Sequence, residues 1–139
     1  MPETDLTIPG EAAAVSAAGS GIGRQIASQL ADTGVDVAVN DVDGDALAAA
    51  EDALADCAGD VATVQGDAAD PDDMARFVER AVEAFGGLDI LVNNVGVAGP
   101  TKPCEEVTHE EFMDTLAVNL GGQFNATRAA IPHLTDGGG

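Results

Sequence analysis

The sequence is poor in aromatic and basic residues. It has no tryptophan or tyrosine, and its five lysines and arginines stand against 25 aspartates and glutamates, which gives a formal charge of -20 over 139 residues. Because such a charge repels polyanions, it argues against nucleic acid or an anionic membrane surface as a partner. The acidic residues are scattered through well-patterned segments, so we interpret them as a solvated acidic surface of the kind that high-salt organisms use.

Cysteines and long apolar runs are also scarce. Cys57 and Cys104 have no metal-binding spacing, and Cys57 falls within a helical pattern, so we expect two reduced thiols. No apolar run approaches the length of a membrane span, and the amino terminus lacks a basic segment followed by an apolar core. We therefore expect a cytoplasmic protein. An apolar content of 45% at this length predicts a single domain over residues 1–139.

Four apolar strand patterns alternate with helical patterns along the chain. The predicted strands cover 12–17, 35–41, 61–67 and 88–94, and the predicted helices cover 22–31, 43–58, 71–85 and a long segment from Thr108 towards Pro132. We expect residues 1–10 to lead into the first strand and residues 135–139 to form a turn. Short connections between alternating elements predict a right-handed parallel α/β sheet ordered 3-2-1-4, with helices on both faces.

A glycine-rich turn joins the first predicted strand to the first predicted helix. Residues 16–23 read S-A-A-G-S-G-I-G. Glycine lets the backbone approach a ligand closely, and the N–H groups of the first helical turn, with the helix dipole behind them, attract a pyrophosphate. Tight packing alone explains a glycine cluster equally well, so both interpretations stay open at this point.

Two aspartates lie at the ends of predicted strands. Asp41 lies 18 residues beyond Gly23, a spacing at which a carboxylate accepts hydrogen bonds from an adenosine ribose and repels a 2′-phosphate. Asp67 ends the third strand. Either residue could instead be a solvated acid in a turn. Both are expected at the carboxyl edge of the sheet, however, which is where open α/β sheets bind ligands.

Further motifs continue this pattern along the chain. They are A-G-S-G-I-G at 18–23, N-D at 40–41, D-A at 67–68, L-D-I-L-V-N-N-V-G at 88–96 and V-N-L-G-G-Q-F at 118–124. Together they resemble the short-chain dehydrogenase/reductases over nearly the whole chain, in particular the branch that includes the 3-oxoacyl-carrier-protein reductases. The resemblance implies a Rossmann-type fold and an NAD-dependent oxidoreductase. Such an enzyme transfers a hydride between nicotinamide and the carbonyl or alcohol carbon of a small-molecule substrate.

The resemblance also implies a role for each residue that matches a family motif. A pyrophosphate is expected at the turn formed by Ala17, Ser20, Gly21, Ile22 and Gly23. Asp41 is expected to select NAD over NADP, and Asp67 with Ala68 to contact the adenine. The residues expected to line the adenosine side are Asn93, Val95 and Gly96. Asn119 is expected to be catalytic, where it helps to hold the active-site lysine through water.

This sequence departs from the family pattern at the turn and after the fourth strand. The family turn usually begins with threonine and glycine, where this chain has Ser16 and Ala17, and Val95 replaces a family alanine. The methyl group of Ala17 lies at a tight turn. We therefore expect NAD binding to persist but to be weaker.

The family's catalytic tyrosine is missing, since the chain has no tyrosine. Its serines lie at 16, 20 and 28, and Lys102 is its only lysine. The family's serine and tyrosine-lysine pair normally follow the point where this sequence stops, so we expect an incomplete domain that ends before a fifth strand. The alternative is a dinucleotide-binding module without hydride chemistry. A catalytic role for His109 or His133 and a metal site are not expected. The long helix contributes to the family's subunit interface, which implies a homo-oligomer.

The acidic composition predicts that stability depends on salt. At low ionic strength the screening length grows and the carboxylates repel one another more strongly. We expect the midpoint of thermal unfolding to fall when the protein is desalted, as measured by circular dichroism in molar KCl and after dialysis. A midpoint that does not change with salt would contradict the interpretation of the acidic surface.

Overall fold

In a computed structural model, residues 11–136 are described and form one four-stranded parallel sheet in the order β3-β2-β1-β4. Its strands are β1 (Ala12–Val15), β2 (Asp36–Asp41), β3 (Val61–Gln65) and β4 (Ile90–Val92). Its helices are α1 (Gly21–Asp32), α2 (Gly44–Leu54), α3 (Pro71–Phe85), α4 (His109–Leu116) and α5 (Gly122–Asp136). A 3-10 turn (Cys104–Glu106) precedes α4, and a π-helical segment (Ala117–Gly121) joins α4 to α5. The predicted Rossmann-type fold and strand order are confirmed.

The central strands are buried on both faces. Side chains alternate along a strand, so Val37 and Val39 point to one side of the sheet and Ala38 points to the other. The first side packs against α1 and α2, and the second packs against α3 and α5. This two-sided burial explains why the strands read as continuous apolar runs in the sequence.

Local signals in the sequence set the ends of two helices. Asp70 caps α3 by accepting the N–H of Asp72, with proline in the first helical turn, and Gly86 ends the helix with a φ of 80°. Thr108 and Glu111 form a reciprocal capping box at the start of α4. Both starts agree with the sequence prediction.

Three boundary predictions are wrong in detail. Helix α2 ends at Leu54 rather than at residue 58, so Cys57 lies in a turn. The cause lies at Gly59, whose N–H donates to Ala31 O and whose Cα packs against the carbonyl of Val35, so that the chain has to leave the helix early. The strands are one to four residues shorter than predicted, since β1 and β3 end two residues early, β2 begins one residue late and β4 is shorter at both ends. Helix α5 continues to Asp136, so a turn does not begin at 135.

The expected lead-in at residues 1–10 and the end of the predicted turn, residues 137–139, lie outside the described residues. Within residues 11–136, no helix combines the length and apolar character needed to cross a bilayer.

Phe77 is the largest side chain that is fully buried, and it lies on α3 beneath the sheet. Replacing it with alanine should lower the free energy of unfolding by about 3–5 kcal/mol, because a cavity replaces the ring. The matched control is Glu79→Ala on the exposed side of the same helix, which should change stability by less than about 0.5 kcal/mol. Urea unfolding in molar KCl measures both. Equal losses would show that the core is not packed as described.

Candidate functional site

A cleft of about 460 Å³ opens at the carboxyl edge of the sheet. It runs from the end of β1, past the ends of β2 and β3, to the segment that follows β4 and to the π-helical segment. Its lining residues are Ala17, Ser20, Asn40, Asp41, Val42, Gly66, Asp67, Ala68, Asn94, Val95, Gly96, Val97 and Val118. Loops from four adjacent strands therefore form one site at the position where this class of sheet binds ligands.

The glycine turn between β1 and α1 is tightly packed. A Cβ atom at Gly23 would approach Ala17 O to 2.7 Å and would contact Nδ2 of Asn94 more closely still. Ala17 has a φ of 51°, and Gly21 has a φ of 57°, which is the left-handed region that favours glycine. The departure noted at Ala17 is therefore a strained one, since an alanine occupies a glycine-like conformation.

The start of α1 lies next to the cleft, which is lined by Ser20, the N-cap residue of this helix. Arg24 N–H donates to Ser20 O, whereas helix geometry leaves the N–H groups of Gly21, Ile22 and Gly23 without an acceptor in the preceding turn. Ile22 is 75% exposed beside them. A pyrophosphate is the kind of group that these donors and the helix dipole would attract.

Ser16 and Asn94 hold the turn against the end of β4. The N–H of Asn94 donates to Ser16 Oγ at 3.1 Å, and Nδ2 of Asn94 donates to Ala17 O at 3.1 Å. Asn94 thus supports the turn and lines the cleft, although the sequence analysis did not select it. Its position in the N-N-V-G motif was visible, but nothing in the sequence distinguishes its role from that of Asn93.

Asp41 lies at the end of β2, with its carboxylate next to the turn. Oδ2 accepts the N–H of Gly19 at 2.9 Å, and Oδ1 accepts the N–H of Asp43 at 3.0 Å. The preceding residue, Asn40, is buried, and its Nδ2 donates to the carbonyls of Val64 and Gly66. These contacts fix the ends of β2 and β3 relative to the glycine turn.

Asp67 is held by a network that the sequence analysis missed. Its N–H donates to Asp73 Oδ2 at 2.8 Å, and its own Oδ1 accepts the N–H of Ala69. Arg76 pairs with Asp73 at 2.9 Å and also donates to Gln65 O. The Asp67 N–H and the nearby guanidinium lower the pKa of Asp73. Asp73 thus lies in the first turn of α3 and also fixes the loop after β3.

Asn119 lies in the middle of the π-helical segment. Its Oδ1 accepts the N–H of Val97 at 2.7 Å, and its Nδ2 donates to Val97 O at 2.9 Å. The side chain thereby ties the helix to the segment that follows Asn94. It lies at the far end of the cleft from Asp41, beside Val97 and Val118, which line it.

Of the predicted site residues, seven line the cleft, namely Ala17, Ser20, Asp41, Asp67, Ala68, Val95 and Gly96. Five do not line it, namely Gly21, Ile22, Gly23, Asn93 and Asn119. The Nδ2 of Asn93 instead donates to Thr127 Oγ1 on α5 at 2.9 Å. The residues that the sequence analysis missed are Asn40, Val42, Gly66, Asn94, Val97 and Val118. Val42 is 66% exposed, and an apolar residue directly after a strand-ending acid was the signal that could have revealed it.

Other ionisable groups lie apart from this cleft. Lys102 pairs with Glu111 at 2.8 Å and lowers the pKa of that carboxyl, so the only lysine of the chain supports the α4 capping box. His109 is the first residue of α4. Within residues 11–136, no cluster of histidine, cysteine and acidic side chains is arranged to hold a metal ion.

The family model for short chain dehydrogenase matches residues 11–139. The chain therefore belongs to the short-chain dehydrogenase family, whose fold binds a nicotinamide cofactor and whose members act on small molecules.

Individual relatives support the same assignment. Cyclohexanol dehydrogenase of an Acinetobacter species is 35% identical, over 91% of this chain and 51% of that protein. The structure of carveol dehydrogenase from Mycobacterium avium in complex with NAD has a TM-score of 0.87 at 29% identity, over 93% of this chain and 51% of that one. An actinorhodin polyketide ketoreductase with NADPH has a TM-score of 0.82 at 30% identity, over 88% of this chain and 46% of that one. The chain thus spans about half the length of the relatives that it matches.

The strained conformation of Ala17 leads to a stability prediction. An alanine in the left-handed region is strained by about 1–2 kcal/mol, and replacing it with glycine removes this strain. Part of the gain in stability is lost again, because glycine has more conformational entropy in the unfolded chain. Ala17→Gly should therefore raise the free energy of unfolding by about 0.5–1 kcal/mol in urea titrations. The matched control is Ala18→Gly, at a buried neighbour without a positive φ, which should lower stability. Destabilisation by both substitutions would show that Ala17 is not strained.

Proposed function

We propose that this chain is the cofactor-binding, amino-terminal part of an NAD-dependent short-chain dehydrogenase/reductase. In the complete protein, a hydride would pass between nicotinamide and a carbonyl or alcohol carbon of a small-molecule substrate. The observation that carries the proposal is the cleft, whose lining includes Asp41 and Asp67 together with Ser20, the N-cap residue of α1. Branch membership with the 3-oxoacyl-carrier-protein reductases rests on the sequence motifs alone.

A preference for NAD over NADP is supported by the charge of the cleft. Asp41 and Asp67 both line it, and its described lining includes no lysine or arginine. A 2′-phosphate near Asp41 would meet a carboxylate without a compensating cation, whereas a ribose hydroxyl could donate to it. Among the relatives, one structure contains NAD and another NADPH, so the preference is specific to each protein.

The proposed residue roles follow the sequence motifs. Gly21, Ile22 and Gly23 would donate to the pyrophosphate, and Asp41 would accept hydrogen bonds from the adenosine ribose. Asp67 and Ala68 would contact the adenine, with Val95 and Gly96 on the adenosine side. Asn93 would act there only through its backbone, since its side chain binds Thr127.

Among the residues of this chain, only Asn119 is proposed to belong to the catalytic residues of the complete enzyme. Its side chain makes two hydrogen bonds to the backbone of Val97, so it would act by fixing the π-helical segment beside the active site. The proton donor would come from the remaining part of the protein, because this chain has no tyrosine. The alternative, a dinucleotide-binding module without hydride chemistry, is favoured by this same lack of a proton donor.

Cofactor binding can be measured on this chain by isothermal titration calorimetry with NAD and NADP in molar KCl. We expect binding of NAD and at least about tenfold weaker binding of NADP, because of the charge of Asp41. Gly21→Val should abolish NAD binding, since a β-branched residue is strained at a φ of 57°. Gly87→Val is the control, because Gly87 has open space around it. Unchanged NAD affinity in Gly21→Val would disprove the assignment of the turn.

We also propose that the protein is a cytoplasmic homo-oligomer. Two described cysteines, Cys57 and Cys104, are free thiols, as is usual in a reducing compartment. An apolar face runs along α4, the π-helical segment and the start of α5; its exposed members are Phe112, Met113, Leu116, Leu120 and Phe124. Such a continuous apolar surface is typical of an interface. Within the described residues, strand β4 pairs only with β1, so its other side is an open edge of the sheet that could also pair with a partner.

Light scattering in molar KCl tests this oligomer. We expect the mass of a dimer or a larger assembly, and Leu120→Asp should shift it to the monomer, because it places a charge in the apolar face. The control Gln29→Asp adds the same charge on the exposed side of α1 and should leave the mass unchanged. A monodisperse wild-type monomer would overturn the proposal.

A further inference from the structure

The carboxylate of Asp41 is bound to the backbone of the glycine turn. Its Oδ2 accepts the Gly19 N–H at 2.9 Å, across 22 residues of sequence, while Oδ1 accepts the Asp43 N–H at 3.0 Å. A hydrogen bond to a charged acceptor is roughly twice as strong as a neutral one. A carboxylate has about four acceptor positions, so two remain for a ribose.

Gly19 is shaped to receive this carboxylate. A Cβ atom there would lie 2.6 Å from Asp41 Oδ2 and 3.0 Å from the Cβ of Ala46. Gly19 is buried and has no positive φ, so close approach rather than backbone conformation is what excludes a side chain. Gly21 is the opposite case, because it has a positive φ and open space around it.

A second bond ties the same part of the turn to β2. The N–H of Ala18 donates to the carbonyl of Asn40 at 2.8 Å. Two consecutive N–H groups of the turn are therefore bound by two consecutive residues of β2. Since their donors are occupied, Ala18 and Gly19 do not serve a ligand, and the free donors begin at the start of α1.

We propose that Asp41 is a positioning residue for the phosphate-binding turn, in addition to its proposed contact with the ribose. This inference rests on the proposed cofactor function. By holding Gly19, Asp41 orients the N–H groups that follow it towards the pyrophosphate. Neutralising Asp41 should therefore weaken binding of the pyrophosphate as well as of the ribose. The neutral variant should also bind NADP less tightly than the wild type binds NAD.

Amide hydrogen exchange without ligand tests the contact by itself. In Asp41→Ala the Gly19 amide should exchange at least about tenfold faster than in the wild type. Asp41→Asn keeps one acceptor oxygen and should show a smaller increase. The control is Asp36→Ala, which removes a comparable bond, from Asp60 N–H, at the other end of β2 and should leave Gly19 unchanged. Equal Gly19 exchange in the wild type and Asp41→Ala would overturn the proposal.

Two nucleotide probes separate the ribose contact from the positioning role. Adenosine contains the ribose but no phosphate, and ADP-ribose contains both. In molar KCl, Asp41→Ala should weaken adenosine binding about tenfold and ADP-ribose binding about a hundredfold. Removal of a negative charge would by itself strengthen binding of an anion, so the extra loss for ADP-ribose can only come from the turn. Equal factors for the two probes would show that Asp41 contacts the ribose alone.

A double-mutant cycle tests the close contact between Gly19 and the Asp41 carboxylate. Gly19→Ala should weaken ADP-ribose binding about tenfold in the wild type and less in Asp41→Ala, where the clash with the carboxylate is gone. Gly87→Ala is the matched control and should have no effect. If the wild type binds neither probe, the proposed function fails and the positioning role fails with it. If the probes bind and the cycle shows no coupling, the positioning role fails and cofactor binding stands.

Discussion

The tight turn between β1 and α1 is the constraint on which the site depends. The chain leaves the central strand and starts a helix within a few residues, and contacts from both neighbouring strands fix its path. Asn94, after β4, binds Ala17 from one side, and Asp41, the last residue of β2, binds Gly19 from the other. A Cβ at Gly23 would collide with the first of these, and one at Gly19 with the second. The sheet order matters because it places β1 between the two strands that supply these side chains.

The electrostatics of the cleft are unusual for a site proposed to bind an anionic cofactor. The chain has a formal charge of -20, and the described lining of the cleft contains aspartates but no lysine or arginine. Attraction for a pyrophosphate must therefore come from backbone N–H groups and the dipole of α1, which need no basic side chain. Their effect depends on orientation, so an acidic protein gains particular benefit from a rigid turn. Salt would serve both stability and binding, because it screens the surrounding carboxylates.

The sequence predicted the sheet and its order, because strongly apolar strands, glycine ends and caps such as Asp70 act locally. The prediction was less accurate where packing between distant segments determines the end of an element. One example is the end of α2, which is followed by the close approach of Gly59 to the carbonyl of Val35. At the site, the glycine turn and Asp41 could be predicted from the sequence, because the number of residues between them is typical of a dinucleotide site. Asn94 and Asp73 were not, since their roles depend on contacts with residues 77 and 6 positions away along the chain. Side-chain direction also separates Asn93 from Asn94, and a motif does not encode it.

The π-helical segment lies between the cleft and the apolar face that is proposed as an interface. Its wider turn lets Asn119 reach the backbone of Val97, while the adjacent face of the same helix exposes Leu116 and Leu120. One helix therefore forms the far wall of the cofactor cleft and the apolar face proposed as an interface. A partner that packs on this face would restrain the segment that carries Asn119. Assembly and the proposed contribution of Asn119 to catalysis would then be coupled through a single helix.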